Sequence, residues 1–152
     1  MEIEVKVKAV SPLIGKHIQL PEYATSGSAG LDLRACIEKP ILLPVNDRAL
    51  IPTGIAIQIP SPYTAGLIFA RSGLASKYGI NLINGVGVID SDYIGEIICP
   101  MQNSGENEYL IRPGDRIAQI LFVPVALARL TLVDHLKPTT RDQGGFGSSG
   151  LN

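Results

Sequence analysis

The sequence predicts an all-β protein made of many short strands, and three observations point there. Short apolar segments rich in Val, Ile and Leu recur from the N-terminus to Val133 at fairly even spacing, with turn signals between them. Sixteen glycines and eleven prolines in 152 residues suit many turns and few helices. Only Gly73 to Tyr78 has helical character. Such a pattern forms a sandwich, a barrel or a jelly roll, and the length is that of one domain with its own core.

Residues 2–8 alternate strictly, with Ile3, Val5 and Val7 on one side and Glu2, Glu4, Lys6 and Lys8 on the other, which predicts a half-buried strand. Further strands are expected at Leu31–Cys36, Ile41–Leu43, Ala49–Ile59, Gly66–Ala70, Val86–Ile89, Ile94–Met101, Tyr109–Ile111, Ile117–Val125 and Arg129–Val133. Asn46-Asp47, Asn103-Ser104-Gly105 and Pro113-Gly114-Asp115 supply turns between them. The short helix follows a strand that ends in Arg71, with Ser72 as a candidate N-cap and Gly79 placed to terminate it. A helix start exposes unpaired N–H groups, so Arg71 and the Ser72 hydroxyl beside it would form a small anion cradle suited to phosphate. A plain capped helix with a surface arginine is the alternative.

The strand after Pro113-Gly114-Asp115-Arg116 places Ile117, Gln119 and Leu121 on one face and Ala118, Ile120 and Phe122 on the other. Gln119 is thus a polar residue on an apolar strand, marking either a structural hydrogen bond or a site. The stretch from Asn84 to Glu96 reads as two short β-branched strands around a turn that carries Asp90, Asp92 and Tyr93. Alone, Asp-Ser-Asp makes an ordinary Asx-type turn. Held between buried strands, the same residues form a rigid polar cluster fit for chemistry.

The net charge of −1 shows no basic stripe, so a long nucleic acid is not an expected partner. No apolar run is long enough to span a bilayer, and the N-terminus lacks a signal-peptide core, so no membrane partner is expected and a cytoplasmic location is. Cys36 and Cys99 lie far apart among apolar residues and read as buried thiols in a reducing compartment. Neither cysteine is spaced with His17 or His135 as zinc ligands would be. From Arg141 to Gly150 the composition shifts to glycine and serine around a single Phe146, a flexible arm unable to build a core. One aromatic and one cation on such an arm suit a flat, anionic ligand such as a nucleotide.

These features resemble the trimeric dUTP pyrophosphatase (dUTPase) family over nearly the whole chain. Five family motifs occur in order: Ser28-Ala-Gly-Leu-Asp-Leu-Arg-Ala35, Arg71-Ser-Gly-Leu-Ala75, Asn84 to Gly95, Arg112-Pro-Gly-Asp-Arg-Ile-Ala-Gln119, and the arm from Arg141 to Gly150. The resemblance implies a jelly-roll-like (β-clip) domain over residues 1–138, with residues 139–152 as a flexible arm closing over the site. It implies a homotrimer with active sites shared between subunits, and dUTP as substrate. By the same resemblance, Asp90 activates the water that attacks the α-phosphorus and touches the deoxyribose 3′-OH. Tyr93 packs on the sugar and excludes a 2′-OH. Asn84, with the backbone around Gly87, pairs with uracil. Arg71, Ser72 and Gly73 cradle the phosphates, and Gln119 contacts phosphate or attacking water. Asp32 reaches Mg²⁺ through its water shell, the metal being held mainly by the triphosphate. In the arm, Arg141 pairs with the γ-phosphate, Phe146 stacks on uracil, and Ser148 and Ser149 contact the terminal phosphate.

One departure stands out. Family arms usually carry Gly directly after the arginine, whereas this chain has Asp142, and a carboxylate near a triphosphate is expected to weaken closing. A dCTP deaminase shares fold and cradle, but that family is expected to use a glutamate on cytosine, and Asp90 with Tyr93 matches hydrolysis instead. A non-catalytic regulatory module or a structural jelly-roll subunit would not need Asp90 or the arm.

Overall fold

The computed structural model describes residues 2–140 and Asp142. In chain order the elements are β1 (Lys6–Ala9), β2 (Leu31–Arg34), β3 (Ile41–Leu43), β4 (Arg48–Gln58), β5 (Thr64–Ala70), α1 (Ser72–Tyr78), β6 (Ile80–Leu82), β7 (Val86–Ile89), β8 (Glu96–Asn103), β9 (Tyr109–Ile111) and β10 (Arg116–Pro124). One four-stranded sheet runs β1-β4-β8-β6, a second runs β2-β10-β5-β7, and β3 pairs with β9. All pairings between these strands are antiparallel. Among the described residues this is the all-β fold with one short helix that the strand spacing predicts, in the jelly-roll-like form that the resemblance implies.

All three sheets feed one core. Leu33, Ile68 and Ile120 come from the second sheet, Ile51, Ile55, Ile97 and Met101 from the first, and Leu43 and Ile111 from the pair. Burying each such side chain contributes roughly 1.5–3 kcal/mol, so this cluster, with few aromatics, dominates the fold's stability. Pro52 and Pro100 lie inside β4 and β8, yet each falls where only one flank of its strand is paired by another strand. Cys36 and Cys99 are free and buried, and burial pushes the Cys99 thiol up to about 12. No helix among the described residues is long and apolar enough to cross a membrane.

The structure departs from the sequence pattern at both ends. The first strand begins at Lys6, not Glu2, and all four of its residues are exposed, because β1 is an edge strand pairing only with β4. The strand expected at Arg129–Val133 is absent, and no strand follows Pro124 among the described residues. Its alternation is real, but none of the described residues covers it: Leu130 is 93% exposed, Leu132 101% and Leu136 86%. The eighth strand starts at Glu96, not Ile94: its first ladder pair is Glu96 with Ala56, and the Glu96 carboxylate also accepts the Gly54 amide at 2.8 Å. The short β6 carries too few residues for its pattern to stand out in the sequence.

Candidate active site

Helix α1 begins where β5 ends. Arg71 is extended (φ −80°, ψ 126°) and is the residue that caps the helix, so Ser72 is its first helical residue and not the N-cap. The reason is in the backbone: Arg71 O accepts from both Leu74 N and Ala75 N at 3.0 Å. The Ser72 and Gly73 amides are therefore among the helix's first N–H groups, which lack intrahelical acceptors. At the other end Gly79 terminates the helix as expected, in the left-handed region (φ 70°). A Cβ there would collide with the backbone of Gly105, and the Gly79 carbonyl accepts Ser104 N and Ser104 Oγ at 3.0 Å each. The helix carrying the cradle is thus clamped to the loop between β8 and β9.

A cleft of about 330 Å³ opens at the helix start, lined by Ser28, Gly30, Asp32, Arg71, Ser72, Gly73, Gln119 and Leu121 among others. Asp32 sits on β2 directly opposite Gln119 on β10, and Gln119 opposite Phe69 on β5. Asp32 is only 7% exposed, which a carboxylate tolerates when its charge is answered. Two guanidiniums answer it: Arg71 Nε lies 3.0 Å from Oδ1 and Arg116 Nη1 3.0 Å from Oδ2. Arg71 Nη1 also donates to the Arg116 carbonyl at 3.2 Å.

Arg116 reaches Asp32 because β10 is irregular. The register with β2 shifts between Arg116 and Ala118, and the extra residue lets Ile117 and Ala118 both enter the core. Regular alternation places Ile117 beside Gln119 and turns Arg116 inward. The bulge reverses both, leaving Arg116 on the face of Gln119 and Asp32. The sequence pattern alone missed this residue, since its only signal is a register that becomes visible once β2 and β10 are paired.

The second predicted cluster lies elsewhere. Gly87 is in β7 opposite Ile68, and Asn84 is exposed in the turn leading into that strand. Asp90 is exposed at the turn after β7, closed by Tyr93 N donating to Asp90 O at 3.2 Å. Tyr93 is 44% exposed, its hydroxyl donates to Glu96 O at 2.8 Å, and its ring lies across Gly95. A Cβ on Gly95 would come within 2.7 Å of the ring, so glycine there is what lets the ring lie flat. None of Asn84, Gly87, Asp90 and Tyr93 lines the cleft at Arg71. Strand register gives the reason. Ile89 pairs with Gly66, so Asp90 falls level with Ala65 at the Thr64 end of β5, whereas Arg71 follows its opposite end. At about 3.3 Å per residue the two are separated by roughly 20 Å along the strands. One chain therefore brings Asp32, Arg71, Ser72, Gly73 and Gln119 together and holds Asp90 and Tyr93 apart from them.

Arg141, Phe146, Ser148 and Ser149 lie outside the described residues. Asp142 is described: its φ is 45°, and its amide donates to Thr139 O at 3.1 Å and Thr139 Oγ1 at 3.0 Å. Its backbone thus has the left-handed conformation that glycine adopts at least cost.

A helix start and an arginine held by a buried carboxylate give this all-β protein a cleft lined by cationic and N–H donor groups. The comparisons give that class its family. The dUTPase family model matches residues 16–150, and the chain belongs to the dUTPase family. It is 50% identical over 147 residues to the deoxyuridine 5′-triphosphate nucleotidohydrolase of Escherichia coli O7:K1, covering 97% of each chain. The enzyme of the same name from Shigella boydii serotype 18 is also 50% identical, with the same coverage. Among solved structures, a dUTPase variant from phage 80alpha superposes with a TM-score of 0.85 at 27% identity, covering 98% of this chain and 100% of that one. Another Staphylococcus bacteriophage 80alpha dUTPase variant, solved with dUpNHpp, gives 0.81 at 26% identity, covering 97% and 99%.

Proposed function

We propose that this protein hydrolyses dUTP to dUMP and pyrophosphate, removing dUTP and supplying dUMP for thymidylate synthesis. The observation that carries this reading is the cleft where Arg71, Ser72, Gly73 and Gln119 converge around a doubly paired Asp32, in a chain of the dUTPase family. Water attacks the α-phosphorus, its proton passes to the Asp90 carboxylate, and the bond from the α-phosphorus to the bridging oxygen breaks, releasing pyrophosphate. Gln119 orients phosphate or water, while Arg71 and the helix-start amides spread charge on the leaving group. Asn84 and the backbone around Gly87 read the polar edge of uracil, and the pinned Tyr93 ring blocks a ribose 2′-OH. Arg141, Phe146, Ser148 and Ser149 of the arm close over base and terminal phosphate.

Among the described residues no group of three or more His, Cys, Asp and Glu could hold a metal ion. Mg²⁺ would be carried mainly by the substrate's phosphates, and Asp32 would contact its water shell through the carboxylate lone pairs that Arg71 and Arg116 leave. When bound it would neutralise phosphate charge.

The site is shared between subunits of a homotrimer. The separation of about 20 Å between Asp90 and Arg71 supports this, because a general base must lie within hydrogen-bond reach of the proton it takes. The uncovered leucines after Pro124 support it too, being apolar surface that a neighbouring copy would bury. Incubation with each deoxynucleoside triphosphate and Mg²⁺, with products identified by chromatography, tests the function. dUMP and pyrophosphate from dUTP alone are expected, and dUTP formed from dCTP would replace hydrolysis with deamination.

A further inference from the structure

We infer that Arg116 is a positioning residue that makes the Arg71 guanidinium available to a polyphosphate, although it does not itself line the cleft. The inference rests on the reading of that cleft as a phosphate site.

Three groups form a chain. Arg71 and Asp32 line the cleft; Arg116 does not, yet it touches both. Its guanidinium holds Asp32 Oδ2 at 3.0 Å, and its carbonyl accepts Arg71 Nη1 at 3.2 Å. Arg71 itself holds Asp32 Oδ1 through Nε, at 3.0 Å. Without Arg116, a buried carboxylate beside a single arginine would draw that arginine into a two-pronged pair, the geometry that guanidinium and carboxylate prefer. The fork needed for phosphate would then be spent on Asp32, and the pair would be neutral. With Arg116 on Oδ2, Arg71 gives Asp32 only its Nε proton and gives the Arg116 carbonyl one Nη1 proton. A guanidinium has five N–H donors, so Nη2 and the second Nη1 proton remain for a ligand. Two arginines on one carboxylate also leave a net positive charge at the cleft.

The bulge in β10 is what makes this possible, since regular alternation would aim Arg116 into the core. Arg116 thus acts through Arg71 in two ways: it sets the orientation through a carbonyl and a shared carboxylate, and it sets the charge.

The test compares the full-length parent with R116Q, R116M and R116K. Calorimetry measures binding of inorganic triphosphate, and competition measures binding of deoxyuridine, which carries no phosphate. The two neutral variants should bind triphosphate about tenfold more weakly, with a shallower salt dependence, because one partly screened charge is lost near the anion. Deoxyuridine binding and thermal midpoint should stay close to the parent's, and R116K should recover most of the triphosphate affinity. Both neutral variants are included because one that folds suffices. Parent-like triphosphate binding in a folded neutral variant would overturn the inference. Equal losses of triphosphate and deoxyuridine binding would also overturn it, by reducing Arg116 to a general structural role. Binding is read without turnover, so a parent that binds triphosphate but leaves dUTP intact would refute the hydrolase reading and not this one.

Discussion

Asp90 and Arg71 lie too far apart in one chain to serve one substrate, and this gives a quantitative prediction about mixtures. Asp90→Asn removes the carboxylate proposed as the base and should cost roughly 10²–10⁴ in rate. Arg71→Ala removes the cradle's central cation and should independently disable phosphate binding. If each site takes its cradle from one subunit and its base from a neighbour, a mixed trimer regains sites where an intact Arg71 meets an intact Asp90. Subunits exchanged at random in equal amounts would satisfy both conditions at about one quarter of the sites in a cyclic trimer. The assay is to unfold the two variants together, refold them, and compare pyrophosphate release from dUTP with that of each variant refolded alone. Recovery near one quarter of parental turnover is expected, against a background at least tenfold lower for each variant alone. A mixed sample no more active than the separate ones, despite sedimentation showing mixed oligomers, would refute the shared site. It would require Asp90 and Arg71 to meet within one chain, which the pairing of Ile89 with Gly66 opposes.

Other perturbations test separate parts of the site. Tyr93→Ala removes the ring held by the Glu96 carbonyl and should narrow the gap between dUTP and UTP in kcat/KM; unchanged rejection of UTP would move the gate elsewhere. Truncation after Thr140 should leave fold and oligomer intact while removing most turnover, and full activity would reduce the arm to a tail. Asp142→Gly relieves a left-handed residue (φ 45°) and removes a carboxylate, so turnover at saturating Mg²⁺ should hold or improve, whereas a marked loss would give the Asp142 side chain a role of its own. Gly79→Ala should destabilise by about 2–4 kcal/mol, because a side chain there combines left-handed strain with overlap on the Gly105 backbone. A parental urea midpoint would refute that clamp.

Much of this architecture was legible in the residues, for identifiable reasons. Ile41–Leu43, Tyr109–Ile111 and the core of Ala49–Ile59 pair within the chain, so the pattern that predicts them is also the pattern that buries them. The convergence of Arg71, Ser72 and Gly73 was legible because they are contiguous, and one local event, a strand turning into a helix, positions all three. The signal failed where no described residue supplies a partner or where the partner lies across a register. Arg129–Val133 alternates like a strand but pairs with none of the described residues. Arg116 looked like the end of a turn, because only the pairing of β2 with β10 sets it against Asp32. The distance between Asp90 and the cradle depends on strand direction, which no local pattern carries.

The bulge in β10 also makes gaining and losing one residue unequal events in this strand. Because Ile117 and Ala118 both point inward, Arg116 and Gln119 share a face at a spacing of three, which is a helical interval written into a strand. Deleting Ile117 would straighten the strand and still leave both polar groups outward, so the injury would be a hole in the core and the chemistry would keep its orientation. Inserting a residue just before Gln119 would do the opposite, presenting hydrocarbon to the cleft and an amide to the interior. A drifting lineage could shorten this strand and merely weaken it, whereas lengthening it would silence the site at once.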